Sequence, residues 1–401
     1  MHRRRNEDPM TQTENAPDLP LAGIVVVDLG QYIAAPGAAQ TLADLGADVI
    51  KVESPEGDQA RGIGVYGEAI MRAYNRRKKS IVLDLKNDVD LGNARSLIRH
   101  ADVVVHNLRP GVMDRLGLSA AAIRELNPTV VLASVSGFGT HGPSRARPGL
   151  DIAAQAETGM MSATGEADGD PQRVGFPLVD HATAYVVAQA ILAALYRRER
   201  TGLGDEIEVS LLDVAVDLQC VNWGEYGITG VVPRRSGNGQ PTAAPAADIF
   251  RTADGSIVVS AYTAARFEQL CAIANCPELP KDPRFADNPA RVAHRAELLD
   301  ALSPFFSELD TETALQQLTS AGIVAGAVRS YDQVLTAADV IASGIFATAS
   351  SVEGAQYDIP GLPYSSQSTP RNRGAGAVPE LGEHTGEVLS RYGLVDHATV
   401  H

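Results

Sequence analysis

A short β-branched run between glycines, IVVVDL at residues 24–29, predicts a strand buried on both faces. The segment PGAAQTLADLGAD behind it has helical spacing, with Pro36 in the first turn and Gly46 at the end. VIKVES, SIVLDL, ADVVVHN and TVVLASVSG predict further strands, parted by helical stretches such as DLGNARSLIRH and SAAAIRELN. Strands alternating with helices imply a parallel sheet covered on both faces. A long small-residue helix is expected from about Ala182, then a strand at 207–210 and a helix leading toward Trp223. VVPRRSGNGQPTAAPAADIF, rich in Gly, Pro and Ala, marks a domain boundary. Beyond it, DIFRTADGSIVVSAYT predicts a hairpin turning at Ala253, Asp254 and Gly255. Helices around RFEQLCAIAN, RVAHRAELLDALSPFFSEL and TALQQLTSA complete a smaller α+β unit, and PELGEHTGEVLSRYGL supplies a final helix. Residues 1–18 are polar and read as a disordered tail.

With 401 residues, 44% of them hydrophobic, the chain can bury a large core and is expected to split into two or three domains. Acidic residues outnumber basic ones 49 to 34, a net charge of −15, which argues against a nucleic-acid partner because phosphate binding needs a basic face. No apolar stretch is read as approaching the roughly 20 residues of a membrane span, and the first residues carry no apolar core behind their arginines. A cytoplasmic metabolic protein without a membrane partner is therefore expected. Cys220, Cys271 and Cys276 lack a paired metal-ligand pattern and read as buried, reduced thiols; no metal is expected.

The candidate chemistry centres on VGFPLVDHATAY, where Asp180 ends an apolar run just before the long helix. An unpaired buried carboxylate is costly, so Asp180 reads either as a helix N-cap or as an attacking group held in a dry pocket. A literal G-x-G-x-x-G at Gly62, Gly64 and Gly67 is discounted. It lies in a loop well after the second strand, whereas a dinucleotide site needs it directly after the first. The turn QYIAAPGAAQ occupies that place without the glycine fingerprint. The basic cluster Arg76, Arg77, Lys78 and Lys79 reads either as a solvated loop or as a phosphate site.

Long phrases carry a resemblance: LADLGADVIKVESPEGDQAR, NRRKKSIVLDLK, ADVVVHNLRPGVMDRLGL, PGLDIAAQAETGMMSATG, VGFPLVDHATA, ILAALYRRERTGLGDEIEVSLLD and LGEHTGEVL. Together, from about Leu21 to Leu394, the chain resembles the family III coenzyme A transferases, which include the 2-methylacyl-CoA racemases. The resemblance implies a large doubly wound parallel-sheet (Rossmann-like) α/β domain plus a smaller α+β domain, in an interlocked homodimer. The implied division is a tail at 1–18, the large domain at 19–225, a linker and Gly-rich loop at 226–240, the small domain at 241–330, and a return segment at 331–401 that completes the large domain.

It also implies a covalent CoA transfer from an acyl-CoA donor to a small carboxylic acid, with Asp180 as nucleophile and neither cofactor nor metal. Gly237, Asn238, Gly239 and Gln240 occupy the region of the family's active-site loop, and Tyr32, Leu83, Lys86, Asn107 and Arg115 its CoA-binding positions. Ser54 and Ser136 stand where some members carry basic residues on the CoA phosphates, a loss the cluster at 76–79 is expected to offset. The alternatives are a racemase and a non-catalytic CoA-binding protein. The racemases carry a histidine where this chain has Leu150, and leucine cannot relay a proton.

Overall fold

The computed structural model describes residues 19–239, 247–351, 354–370 and 374–395; the tail at 1–18 and Gln240 lie outside the described residues. Two compact units emerge, one from residues up to 158, 175–219 and 341 onward, the other from 159–174 and 220–340. Residues 159–174, 220–225 and 331–340, expected with the large domain or its flanks, thus fall in the second unit.

The first unit is built on six strands: β1 (Val25–Asp28), β2 (Asp48–Glu53), β3 (Lys79–Val82), β4 (Val103–His106), β5 (Val131–Ser136) and β6 (Asp205–Ser210). They form one parallel sheet in the order β3-β2-β1-β4-β5-β6, the doubly wound order whose direction reverses between β1 and β4. Its connections carry α1 (Ala34–Asp44), α2 (Gly64–Tyr74), α3 (Asp88–His100), α4 (Val112–Arg115), α5 (Ala120–Leu126) and α6 (Asp151–Glu157). After α7 (Met160–Ala163), which belongs to the second unit, come α8 (Leu178–Thr201) and α9 (Leu211–Asp217).

Strand side chains alternate between faces. Val27, Ile50, Ile81 and Val104 enter one core with Leu97 and Ile98 of α3 and Ile123 of α5. On the other side α1 and α8 pack against the sheet and each other, α1 chiefly through alanines and α8 through Ala184, Val187, Ala188 and Ile191. Gly37 sets this spacing: a Cβ there would stand 2.8 Å from that of Ala184 and 3.2 Å from the Tyr74 ring. α8 stops at Gly202, whose left-handed φ of 69° lets its N–H reach the Arg198 carbonyl. The 24-residue α8 is long and apolar enough by length and composition to cross a membrane, against the sequence reading; Val179, Ala184, Val187, Ala188, Ile191, Ala194 and Leu195 are buried in this unit, while Tyr185 and Tyr196 are exposed.

The C-terminal residues lock the β3 edge. The Ser80 carbonyl accepts from the His384 N–H at 2.9 Å, and Val82 N–H donates to Thr385 Oγ1 at 3.1 Å. Asn93 exchanges two hydrogen bonds with the Val395 backbone, and Val388 of the last helix, Thr385–Arg391, is buried in the core.

The second unit holds an antiparallel sheet of three strands, Asp248–Arg251, Ser256–Ser260 and Val324–Ala327, the first two forming the expected hairpin. Helices Ala264–Ile273, Arg295–Ser307 and Thr311–Ser320 cover it around Phe250, Phe267 and Phe306. Cys271 is buried as expected, but Cys276 is half-buried and Cys220 exposed.

The G-x-G-x-x-G stretch is not a loop. Gly64 opens α2, and Gly67 lies within it, where a Cβ would meet the Ala60 carbonyl oxygen at 1.8 Å. Gly67 thus serves packing, Gly64 supplies a left-handed φ of 63° at the helix start, and none of the three follows β1.

Candidate active site

Asp180 is the third residue of α8, not its cap; the capping position is Pro177, which has no side-chain donor or acceptor. The missing acceptor comes from Asp151 at the start of α6. One oxygen of its buried carboxylate accepts the N–H groups of Val179 at 2.7 Å and Asp180 at 3.1 Å, while Gln155 Nε2 donates to the other at 2.5 Å. The helix start is thereby satisfied without Asp180. Among the described residues no hydrogen bond reaches the Asp180 carboxylate. Burial, with the negative charge of Asp151 added, lifts its pKa from 3.8 to about 7.

Beside it, the Tyr74 hydroxyl lies 3.1 Å from His181 Nδ1, and Tyr185 packs edge-on to the imidazole at 4.9 Å. Burial and then the Asp180 charge push the Tyr74 phenol up to about 12, and burial lowers the His181 pKa. Both therefore stay neutral near pH 7. Asp151, Gln155 and Tyr74 escaped the sequence reading. The Asp-x-x-x-Gln spacing in PGLDIAAQ, one helical turn, was the signal available.

The carboxyl ends of β1 and β4 open the crevice where doubly wound sheets bind ligands. There Gln31 N–H donates to Asn107 Oδ1 at 2.8 Å, and Asn107 Nδ2 returns a bond to the Gln31 carbonyl at 2.7 Å. Next to Gln31, Tyr32 holds a left-handed φ of 61°, an uncommon conformation for a residue with a side chain. A buried charge network keeps it so. Lys51 Nζ, fully buried, donates to the Gly30 carbonyl at 2.9 Å and to Asp58 Oδ2 at 2.8 Å; Asp58 Oδ1 accepts the Tyr32 N–H at 3.1 Å. Burial alone would lower the Lys51 pKa, but Asp28, Asp58 and Glu53 outweigh it and raise it.

The remaining expected residues are placed less uniformly. Tyr32 and Asn107 meet through Gln31. Leu83 and Lys86 follow β3, two strands from β1 and so roughly 10 Å across the sheet. The Leu83 side chain belongs to the core, whereas Lys86 is exposed. Arg115, exposed, ends α4 after β4. Gly237, Asn238 and Gly239 lie in the second unit, where Gly237 N–H donates to the Gly165 carbonyl at 3.0 Å.

The basic cluster does not form an open phosphate site. Lys78 is buried against Asp28 at 2.8 Å, Lys79 pairs with Asp48 and Glu387, and Arg76 and Arg77 face Asp44 at 3.6 and 3.7 Å. Each cation thus has a carboxylate of the fold nearby, close for Lys78 and Lys79 and looser for Arg76 and Arg77.

The profile of CoA-transferase family III matches residues 21–385. The chain is 35% identical over 390 residues to the succinate–glutarate CoA-transferase of Agrobacterium fabrum, covering 94% of this chain and 96% of that one. It is 38% identical over 328 residues to the acetyl-CoA:oxalate CoA-transferase of Acetobacter aceti, covering 79% and 83%. A crystal structure of a CAIB/BAIF family protein from Brucella suis superposes with a TM-score of 0.84 at 34% identity, covering 93% of this chain and 99% of that one.

Proposed function

Since the chain belongs to CoA-transferase family III, and so is a CoA transferase acting on acyl-CoA and carboxylic acids, we propose that it works through covalent intermediates on Asp180. The supporting observation is a carboxylate next to a satisfied helix start, receiving no hydrogen bond and carrying a raised pKa. Such a group is basic for a carboxylate and is not blanketed by donors, two properties that favour attack on a carbonyl.

Asp180 adds to the thioester carbonyl of the donor; the C–S bond breaks, giving an acyl–aspartyl anhydride and CoA thiolate. The thiolate attacks the aspartyl carbonyl, releasing the donor acid as carboxylate and leaving an aspartyl-CoA thioester. The acceptor carboxylate displaces the thiolate to form a second anhydride. The thiolate then attacks the acceptor acyl carbon, and Asp180 is regenerated. Every step exchanges one activated acyl group for another, and no proton must move. The neutral Tyr74–His181 pair fits this, since it adds no charge of its own beside Asp180. The crevice with Tyr32 and Asn107 is the place we assign to CoA, with Lys86 and Arg115 toward its charged end.

Donor acyl-CoA supplied without acceptor is expected to leave CoA attached to the peptide holding Asp180, as an adduct that hydroxylamine releases. Mass spectrometry showing no adduct, or one on another peptide, would remove Asp180 from this role. Racemization has no supporting observation: Leu150 is an exposed side chain with no proton to give.

We also propose a homodimer. The helix Cys220–Thr229 buries none of its residues within the chain, leaving Val221, Trp223, Tyr226 and Ile228 exposed. Light scattering is expected to report two chains per particle down to nanomolar dilution; a compact monomer there would contradict it.

A further inference from the structure

Between α1, the end of α2 and the first turns of α8 lies a recess of about 60 Å³ that no step above uses. Gln40, Arg76, Tyr74 and His181 line it, with Gly37, Ala184 and Leu362 as apolar walls. Gln40 is 4% exposed, yet neither its amide nitrogen nor its oxygen has a hydrogen-bond partner. Arg76 is 3% exposed; its Nη1 donates to the carbonyls of Arg72 and Ala73, but its Nε has none. Native proteins rarely leave such groups unmet, because each forfeits its hydration on burial. The amide and guanidinium N–H groups match the two oxygens of a carboxylate, and the guanidinium supplies the charge. Asp44, the recess's own carboxylate, stands 3.6 Å from Arg76 Nη2 and so partly balances the guanidinium charge, but it leaves Arg76 Nε without an acceptor. The volume is about twice the roughly 30 Å³ of a liquid water, enough for a carboxylate group and too small for the adenine ring system of CoA.

We propose that this recess receives the second carboxylate of a dicarboxylic acyl acceptor. Its position supports this: His181 on the recess wall follows Asp180 in the chain, and Tyr74 joins His181 while lying within reach of the Asp180 charge. One carboxylate of the acid then attacks at Asp180 while the other is anchored by Gln40 and Arg76. Gln40 acts here as a specificity residue, and the inference rests on the transferase reading above.

The test is steady-state transfer with succinate, glutarate and acetate as acceptors, for wild type and Gln40→Leu, together with the Tm of each. The dicarboxylate KM of the variant is expected to rise roughly 10- to 100-fold more than that for acetate, the size of losing a hydrogen bond to a charged group. Its Tm is expected to stay level or rise, because an unmet buried amide is removed. Gln40→Glu, of the same shape, should weaken dicarboxylates further. Equal effects on all three acids, no effect, or a marked fall in Tm overturns the subsite and leaves the recess to ordered water. Wild type that prefers acetate also overturns it. Wild type that transfers CoA to no acid overturns the functional reading itself.

Discussion

Asp180→Asn is expected to lower the rate of CoA transfer on the order of 10⁶-fold, the scale on which a covalent nucleophile is lost. The variant should still fold, because the α8 start is held by Asp151 and not by the Asp180 side chain. Wild type should lose activity as pH falls below about 7, where Asp180 takes up a proton. The same shift fixes the sign for stability. A carboxyl whose folded pKa exceeds its unfolded 3.8 contributes stability that is complete below 3.8 and gone once pH has passed about 7. At pH 8 wild type therefore carries an ionised carboxylate without donors, and Asp180→Asn does not. The variant should melt higher than wild type at pH 8, and the gap should close toward pH 5. Transfer at an undiminished rate in Asp180→Asn would return this residue to a structural part.

Lys51→Met is expected to cost stability on the scale of roughly 3–5 kcal/mol, the usual result of breaking one partner out of a buried ion pair. Lys51 and Asp58 are both fully buried, so deleting the ammonium strands the Asp58 oxygen at 2.8 Å. For a unit of about this size the fall in Tm should be roughly 10 °C. The double variant Lys51→Met/Asp58→Leu should recover part of it, since no charge is then left alone. The raised folded pKa of Lys51 adds stability present below 10.5 and lost only as pH rises through the folded value, so the loss in Lys51→Met should be seen at neutral pH. A change of under 2 °C in thermal unfolding would show that the network is not holding the turn at Tyr32.

The sheet was legible because buried parallel strands are β-branched on both faces: Val25–Asp28, Val103–His106 and Val131–Ser136 can hardly be read otherwise. The helix Gly64–Tyr74 was hidden by its own glycines, which suggest a loop until the Ala60 carbonyl above Gly67 is seen. Asp180 could be singled out from its apolar approach, but the choice between cap and nucleophile could not be made. It depends on Asp151, 29 residues upstream, whose reach to the helix start is a tertiary fact. The cluster at 76–79 misled for the same reason. Its partners Asp28, Asp44, Asp48 and Glu387 are scattered along the chain, so four adjacent cations looked uncompensated.

The lock between the β3 edge and the C-terminal residues has a bearing on synthesis. Val82 and Thr385 are 303 residues apart, and translation at about 5–20 residues per second separates their emergence by roughly 15–60 s. Through that interval the nascent sheet gains β4, β5 and β6 on one side while its β3 edge stays unfinished, with the Ser80 carbonyl and Val82 N–H lacking their C-terminal partners. The β3 edge of the first unit is thus closed late in synthesis, and a chain interrupted between residues 82 and 384 keeps an adhesive strand edge.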